Sequence, residues 1–138
     1  MKFKSKVVVI TGSAANIGKA AALKFAAQGA KIVVNAKNNV SGGEQVKKEI
    51  ISSGGEALFI QADVSEPKQV DKLFAQAIKQ FGTVDILINN AGNAIGMPTL
   101  ESTKDHWSEV FDDNLFSSVL CSIAAAKLMK HKGSIPHQ

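Results

Sequence analysis

The sequence predicts an α/β fold of the doubly wound class, built on a parallel sheet. Three observations lead there. Short apolar runs alternate with helix-period segments along most of the chain; the first run, Val7-Val8-Val9-Ile10, ends in a turn of small residues, Thr11 to Gly18; and that turn opens an Ala-rich helix. A β-α-β-α-β-α-β-α order requires right-handed crossovers and hence parallel strands. The expected spatial order is 3-2-1-4, ending after about four strands. Growth of the sheet then reverses between strands 1 and 4, and ligands of such sheets bind beyond the carboxyl ends of the strands at that point.

Each element has its own signal. Val7 to Ile10 reads as a buried strand, and Ile17 to Gln28 as a helix that can pack Ile17, Ala20, Ala21, Leu23, Phe25 and Ala27, with Gly29 as its stop. Lys31 to Asn35 is the second strand, centred on Ile32-Val33-Val34. Val46, Ile50 and Ile51 mark a helix ending at Gly54-Gly55, and Glu56 to Gln61 forms the third strand. Ser65 is expected to cap a helix carrying Val70, Leu73, Phe74, Ala77, Ile78 and Phe81 at helical spacing, closed by Gly82. Val84 to Ile88 is the fourth strand. From Ser102 or Thr103 one long helix carries Trp107, Val110, Phe111, Leu115, Val119, Leu120, Ile123 and Leu128.

The 138 residues fit a single domain spanning 1–138, with a divergent tail at 133–138. The basic start is followed by only four apolar residues before Thr11-Gly12, too few for a signal-peptide core or a membrane span. One cysteine, Cys121, allows no internal disulfide, so a cytoplasmic location and no membrane association are expected. The net charge is +4, yet all 16 basic residues are lysines, dispersed along the chain. Without arginines for bidentate base and phosphate contacts, nucleic-acid binding is not expected. No metal site is expected either.

The glycine turn carries the chemistry. Gly12 lets the chain turn sharply, Gly18 lets the helix approach the strand, and the helix N-terminus offers unsatisfied N–H donors and the positive end of its dipole to an anion. A dinucleotide, and so redox chemistry, is the indicated ligand class. A nucleotide-triphosphate loop is excluded: it needs four residues between its glycines and Ser or Thr after the lysine, whereas five residues separate Gly12 from Gly18 and Ala20 follows Lys19. Other residues fall in register with the turn. Asp63, closing the third strand, is either an acceptor for an adenine amine or a plain helix-entry aspartate. Asn89-Asn90-Ala91-Gly92 ends the fourth strand beside the switch point, where Asn and Gly also suit an ordinary turn. Asn114 is an amide within an otherwise apolar helix, either functional or simply satisfied in place.

Together these segments resemble the short-chain dehydrogenase/reductase family. The matching pieces are Thr11-Gly12 with Asn16-Ile17-Gly18, the step Ala62-Asp63-Val64, the run Phe81-Gly82 through Asn89-Asn90-Ala91-Gly92, and Trp107 to Val110 followed by Asp113-Asn114-Leu115. The resemblance covers residues 5 to about 135 and implies a Rossmann-type NAD(P)-binding domain of an oxidoreductase acting on a hydroxyl or carbonyl. By that resemblance Gly12, Ser13, Ile17 and Gly18 line the pyrophosphate and adenosine ribose. Asn16 stands where the family usually has glycine, and asparagine tolerates a glycine-like backbone. Asp63 and Val64 flank the adenine; Asn90, Ala91 and Gly92 run beside the ribose; Asn89 ties the central strands together. Asn114 is the amide that bends its helix and holds a water in the family's proton relay. Asn35-Ala36-Lys37-Asn38, after the second strand, lacks the acid with which NAD-selective sites grip the 2′-hydroxyl. Lys37 stands where NADP-selective relatives carry arginine, so NADP is the expected cofactor, with NAD possible.

The family's reaction uses a tyrosine whose pKa is lowered by a nearby lysine, in Tyr-x-x-x-Lys spacing, and a serine that positions the substrate oxygen. This chain has no tyrosine. Gly133-Ser134-Ile135 resembles the first residues of a fifth strand, but Pro136 cannot donate to a central ladder. Ser134 is not placed as the catalytic serine, and His131 and His137 read as tail residues. The chain alone is therefore expected to be catalytically inactive. The alternatives are a dinucleotide-binding or dimerising fragment that acts on a full-length relative, and a truncated product without a function of its own. Without a fifth strand, the 104–130 helix is expected to pack against another copy or a full-length relative.

Overall fold

The computed structural model describes residues 1–94 and 96–130. Four strands form one parallel sheet: β1 (Val7–Ile10), β2 (Lys31–Ala36), β3 (Glu56–Gln61) and β4 (Ile86–Ile88), in the spatial order β3-β2-β1-β4. Both the α/β class and the order agree with the expectation from sequence. The helices are α1 (Asn16–Ala27), α2 (Val40–Ser52), α3 (Pro67–Phe81), α4 (Lys104–Phe111) and α5 (Ser117–Lys130). The segment expected to start a fifth strand at Gly133, together with His131, Ser134, Pro136 and His137, lies outside the described residues.

Side chains alternate across a strand, and here they feed two cores. Val7 and Val9 of β1 and Val33 of β2 join Val70, Leu73, Phe74 and Ala77 of α3 and Cys121 and Ala125 of α5 on one face. Val8, Ile10, Ile32 and Val34 join Ala22 of α1 and Val46 and Ile50 of α2 on the other. A sheet covered on both faces explains why β1 is apolar at every position. The carboxyl ends of β1 and β4 therefore meet at one edge of a closed three-layer sandwich, with the Thr11–Gly18 turn above them.

Several boundaries differ from the sequence reading. Asn16 opens α1 with φ 52°, one residue before the expected start, and Ile17 is largely exposed rather than packed. Ser65 is not a helix cap. Pro67 takes the first position of α3 behind Glu66, and the Ser65 hydroxyl donates instead to Asp63. Proline's fixed φ and missing N–H suit that position, so the first turn needs no side-chain cap. The fourth strand is shorter than Val84–Ile88 because Asp85 uses its side chain: its Oδ2 accepts from Val7 N at 2.9 Å, where a strand carbonyl would otherwise sit. The long helix is two. A π-helical turn, Asp112–Phe116, separates α4 from α5.

Candidate cofactor-binding site

A cleft of about 410 Å³ opens above the carboxyl ends of the strands, within the usual range of small-molecule sites. The turn after β1, the ends of β2, β3 and β4, and the start of α5 form its walls. Of the residues expected at a cofactor, Gly12, Asn16, Ile17, Lys37, Asp63, Val64, Asn90, Ala91 and Gly92 line it. Ser13 and Gly18 do not. Ser13 is fully buried, its hydroxyl donating to Ile10 O at 2.7 Å and accepting from Asn35 N at 3.0 Å, so it fastens the turn to β2 instead of facing a ligand. Gly18 lies beneath the turn, where a Cβ would collide with the Gly12 carbonyl and stand 2.8 Å from Ser13 Cα.

The turn is held open from both sides. Gly12 has φ 62°, and a Cβ there would lie 2.9 Å from Ala91 Cα, so only glycine lets the two strand ends meet this closely. Asn35 Oδ1 accepts from Gly12 N at 3.2 Å, and its amide donates to Ile60 O and Ala62 O at 3.1 and 3.2 Å, joining the three strand ends. Asn90 donates from Nδ2 to Thr11 O and Gly12 O at 3.2 and 3.0 Å, while Thr11 Oγ1 accepts from both Asn90 N and Ala91 N at 3.0 Å. Asn90 thus does the tying expected of Asn89, whose amide donates to Ser122 Oγ of α5 at 3.0 Å. The difference follows from alternation: neighbours at a strand end point to opposite sides.

The residues present suit an anionic dinucleotide. Ala15, at the N-cap of α1, supplies no side-chain acceptor, and the first turn carries no acid. Its N–H groups and dipole end thus face the cleft with neither a capping oxygen nor a competing carboxylate. Beyond the ends of β2 and β3, Lys37 Nζ lies 3.3 Å from Asp63 Oδ2. Asp63 holds the lysine's pKa above the ordinary value. Burial pushes the Asp63 carboxyl up, but two hydrogen bonds from Ser65 and the ammonium of Lys37 outweigh it and leave the pKa below the usual carboxylate range.

Asn114 sits within the π-helical turn. Its Nδ2 donates to Val110 O at 2.9 Å and to Asn93 O at 2.8 Å, and its Oδ1 accepts from Asn93 N at 3.1 Å. The amide thus inserts into the helical ladder, a recognised cause of local distortion, and pins the chain after β4 to the helix. It lies behind Gly92, where a Cβ would stand 2.5 Å from Asn114 Oδ1, and it lines a second hollow rather than the main cleft. Asp113, which the sequence offers only as part of the matching run around Asn114, and Ser117, which it does not single out, also line the main cleft. The signal for Asp113 is its place next to Asn114; Ser117 has none, since a serine within a helix reads as solvated.

Comparison with known proteins fits this geometry. The family model described as short chain dehydrogenase matches residues 6–135. The chain belongs to this family. It is 38% identical over 134 residues to an uncharacterized oxidoreductase of Methylorubrum extorquens, covering 97% of this chain and 54% of that protein. It is 39% identical over 125 residues to a 3-oxoacyl-[acyl-carrier-protein] reductase of Synechocystis, covering 91% and 51% respectively. Among solved structures, a short-chain type dehydrogenase/reductase from Mycobacterium marinum superposes with TM-score 0.91 at 32% identity, covering 96% of this chain and 53% of that one. A variant Serratia marcescens short-chain dehydrogenase/reductase superposes with TM-score 0.88 at 28% identity, covering 93% and 52%. The chain spans about half the length of these relatives. Among the described residues no helix is long and apolar enough to cross a membrane.

Proposed function

We propose that the cleft is the cofactor site of an NAD(P)-dependent oxidoreductase acting on a hydroxyl or carbonyl group, and that it takes NADP in preference to NAD. The observation that carries this reading is the uncapped, acid-free start of α1 facing a cleft that Lys37 also lines. The N–H groups of the first turn would hold the pyrophosphate, Ile17 and Val64 would enclose the adenosine, and Lys37 would meet a 2′-phosphate. The nicotinamide ring supplies hydride transfer when bound. Asn114 and Gly92 fix the backbone beside the ring's expected side of the cleft. Proton transfer needs a separate acid, and the sequence contains no tyrosine to serve as one. The 138-residue chain is therefore expected to bind cofactor without turning over substrate, in keeping with a cytoplasmic binding domain.

Self-association is part of this reading. Trp107, Phe111, Leu115, Val119 and Ile123 recur at steps of four along α4, the π-helical turn and α5, and all five are exposed. A contiguous apolar stripe of this kind marks an interaction surface, and a second copy presents the complementary stripe. Calorimetric titration of the purified chain with NADPH and NADH tests the cofactor reading. Saturable binding of both, tighter for NADPH and weakened by Lys37→Ala, is expected; equal affinities unaffected by Lys37→Ala would sink the NADP preference. Steady NADPH oxidation with a panel of ketones and quinones would overturn the expected inactivity.

A further inference from the structure

We propose that Asp63 is a specificity-determining residue that restrains Lys37, so that the pair, rather than the lysine alone, sets how strongly this site distinguishes a 2′-phosphate from a 2′-hydroxyl. The proposal rests on the cofactor reading above and goes beyond it by assigning the acid a role in discrimination.

The geometry begins with strand register. Ala36 of β2 and Gln61 of β3 are cross-strand partners, so the residues just beyond them emerge side by side at the carboxyl edge. Gln61 Nε2 donates to Lys37 O at 3.0 Å and fixes the lysine's backbone there. Asp63 is anchored more firmly: its N–H donates to Gln69 Oε1 at 2.7 Å, and its Oδ1 accepts from Ser65 N at 3.0 Å and from Ser65 Oγ at 2.7 Å. With Oδ1 occupied, Oδ2 is left to hold Lys37 Nζ at 3.3 Å. The carboxylate side chain is 20% exposed and the lysine 53%, so the acid is the fixed partner and the lysine the movable one.

Both residues line the cleft, and an ammonium has three donors. With one directed at Asp63, two remain for a ligand. A 2′-phosphate placed here would feel the attraction of Lys37 and the repulsion of Asp63 together, which dampens the gain from its charge. With Lys37 removed, the Asp63 charge would act on a 2′-phosphate uncompensated, whereas a 2′-hydroxyl carries no charge for it to repel. The two residues therefore act in opposite directions, and removing either one shifts the preference toward the other's ligand.

The test compares affinity ratios for NADPH and NADH in the wild type, Asp63→Asn and Lys37→Met, at low ionic strength where charge effects are least screened. Asp63→Asn keeps the shape and the acceptor for Ser65 while removing the charge. It is expected to raise the NADPH preference about fivefold, the size of a partly exposed ion pair. Lys37→Met, at an exposed side chain, is expected to reverse the preference toward NADH. An unchanged or reduced NADPH preference in Asp63→Asn, with both nucleotides still bound, overturns the restraining role and leaves the cofactor reading standing. Should Asp63→Asn fail to fold, Lys37→Met decides, and a preference that does not fall below parity overturns the proposal. Wild-type protein that binds neither nucleotide overturns both readings.

Discussion

Replacing Gly18 with alanine should damage the turn that shapes the cleft, and the structure gives the size of the effect. A Cβ at this position would meet the Gly12 carbonyl, Asn90 Nδ2 at 2.6 Å and Ser13 Cα at 2.8 Å. Two of those three atoms are backbone of the turn itself, so a rotamer change cannot relieve the overlap. Overpacking of this kind costs roughly 1–3 kcal/mol. Displacing the Asn90 amide also endangers its bonds to Thr11 O and Gly12 O, each worth about 1 kcal/mol. The better helix propensity of alanine returns at most ~1 kcal/mol. A net loss of about 3 kcal/mol follows, lowering the melting temperature by roughly 10 °C in a domain of this size. Urea unfolding measures it. Gly54→Ala is the comparison: Gly54 has a left-handed φ of 88°, which Gly18 does not, and open space around it, so about 1–2 kcal/mol of backbone strain applies there without any overlap. Gly18→Ala as stable as wild type, or less damaging than Gly54→Ala, would refute the close-approach reasoning.

Further outcomes follow from the same contacts. Thr11→Val should lower stability by about 2–4 kcal/mol in urea unfolding, because Asn90 N and Ala91 N both lose their acceptor in a part-buried position. Asp63 has a pKa lowered on folding, so its contribution is fully present above the unfolded carboxyl value near 4 and is lost as pH falls through the lower folded value. Urea midpoints of the wild type should therefore fall across that acidic window more steeply than those of Asp63→Asn, and parallel profiles would show that the pairing contributes nothing. Leu115→Glu, at the centre of the exposed stripe, should leave the far-ultraviolet circular dichroism unchanged and convert any dimer to monomer in sedimentation velocity.

Fold and site were legible in the sequence to different degrees. The β-branched runs at Val7–Ile10 and Ile32–Val34 read as buried strands, and their alternation with helical periods points to a parallel sheet, whose expected order 3-2-1-4 the structure shows. Glycines with left-handed φ, such as Gly12 and Gly82, were visible because few other residues take that conformation. Less legible was anything decided by one side chain competing with backbone. Asp85 replaces a ladder carbonyl and shortens β4; Ser65 turns toward Asp63 and leaves the helix start to Pro67; Asn114 breaks one apparent helix into two. Local periodicity carries no record of these choices, since each depends on a partner placed by the tertiary fold. Ser13 misled in the same way: a serine in a phosphate-facing turn reads as a ligand contact, and only the approach of Asn35 shows its hydroxyl turned inward. The pairing of Lys37 with Asp63 joins residues 26 positions apart and emerges only from the register of β2 and β3.

The most direct test of the central claim is amide chemical-shift mapping of the isotope-labelled 138-residue chain during titration with NADPH. Binding at the proposed cleft predicts saturable shifts concentrated at Gly12, Asn16 to Gly18, Lys37, Asp63, Val64 and Asn90 to Gly92, with residues of α3 unmoved. Absence of saturable shifts, or shifts centred away from these strand ends, would contradict it.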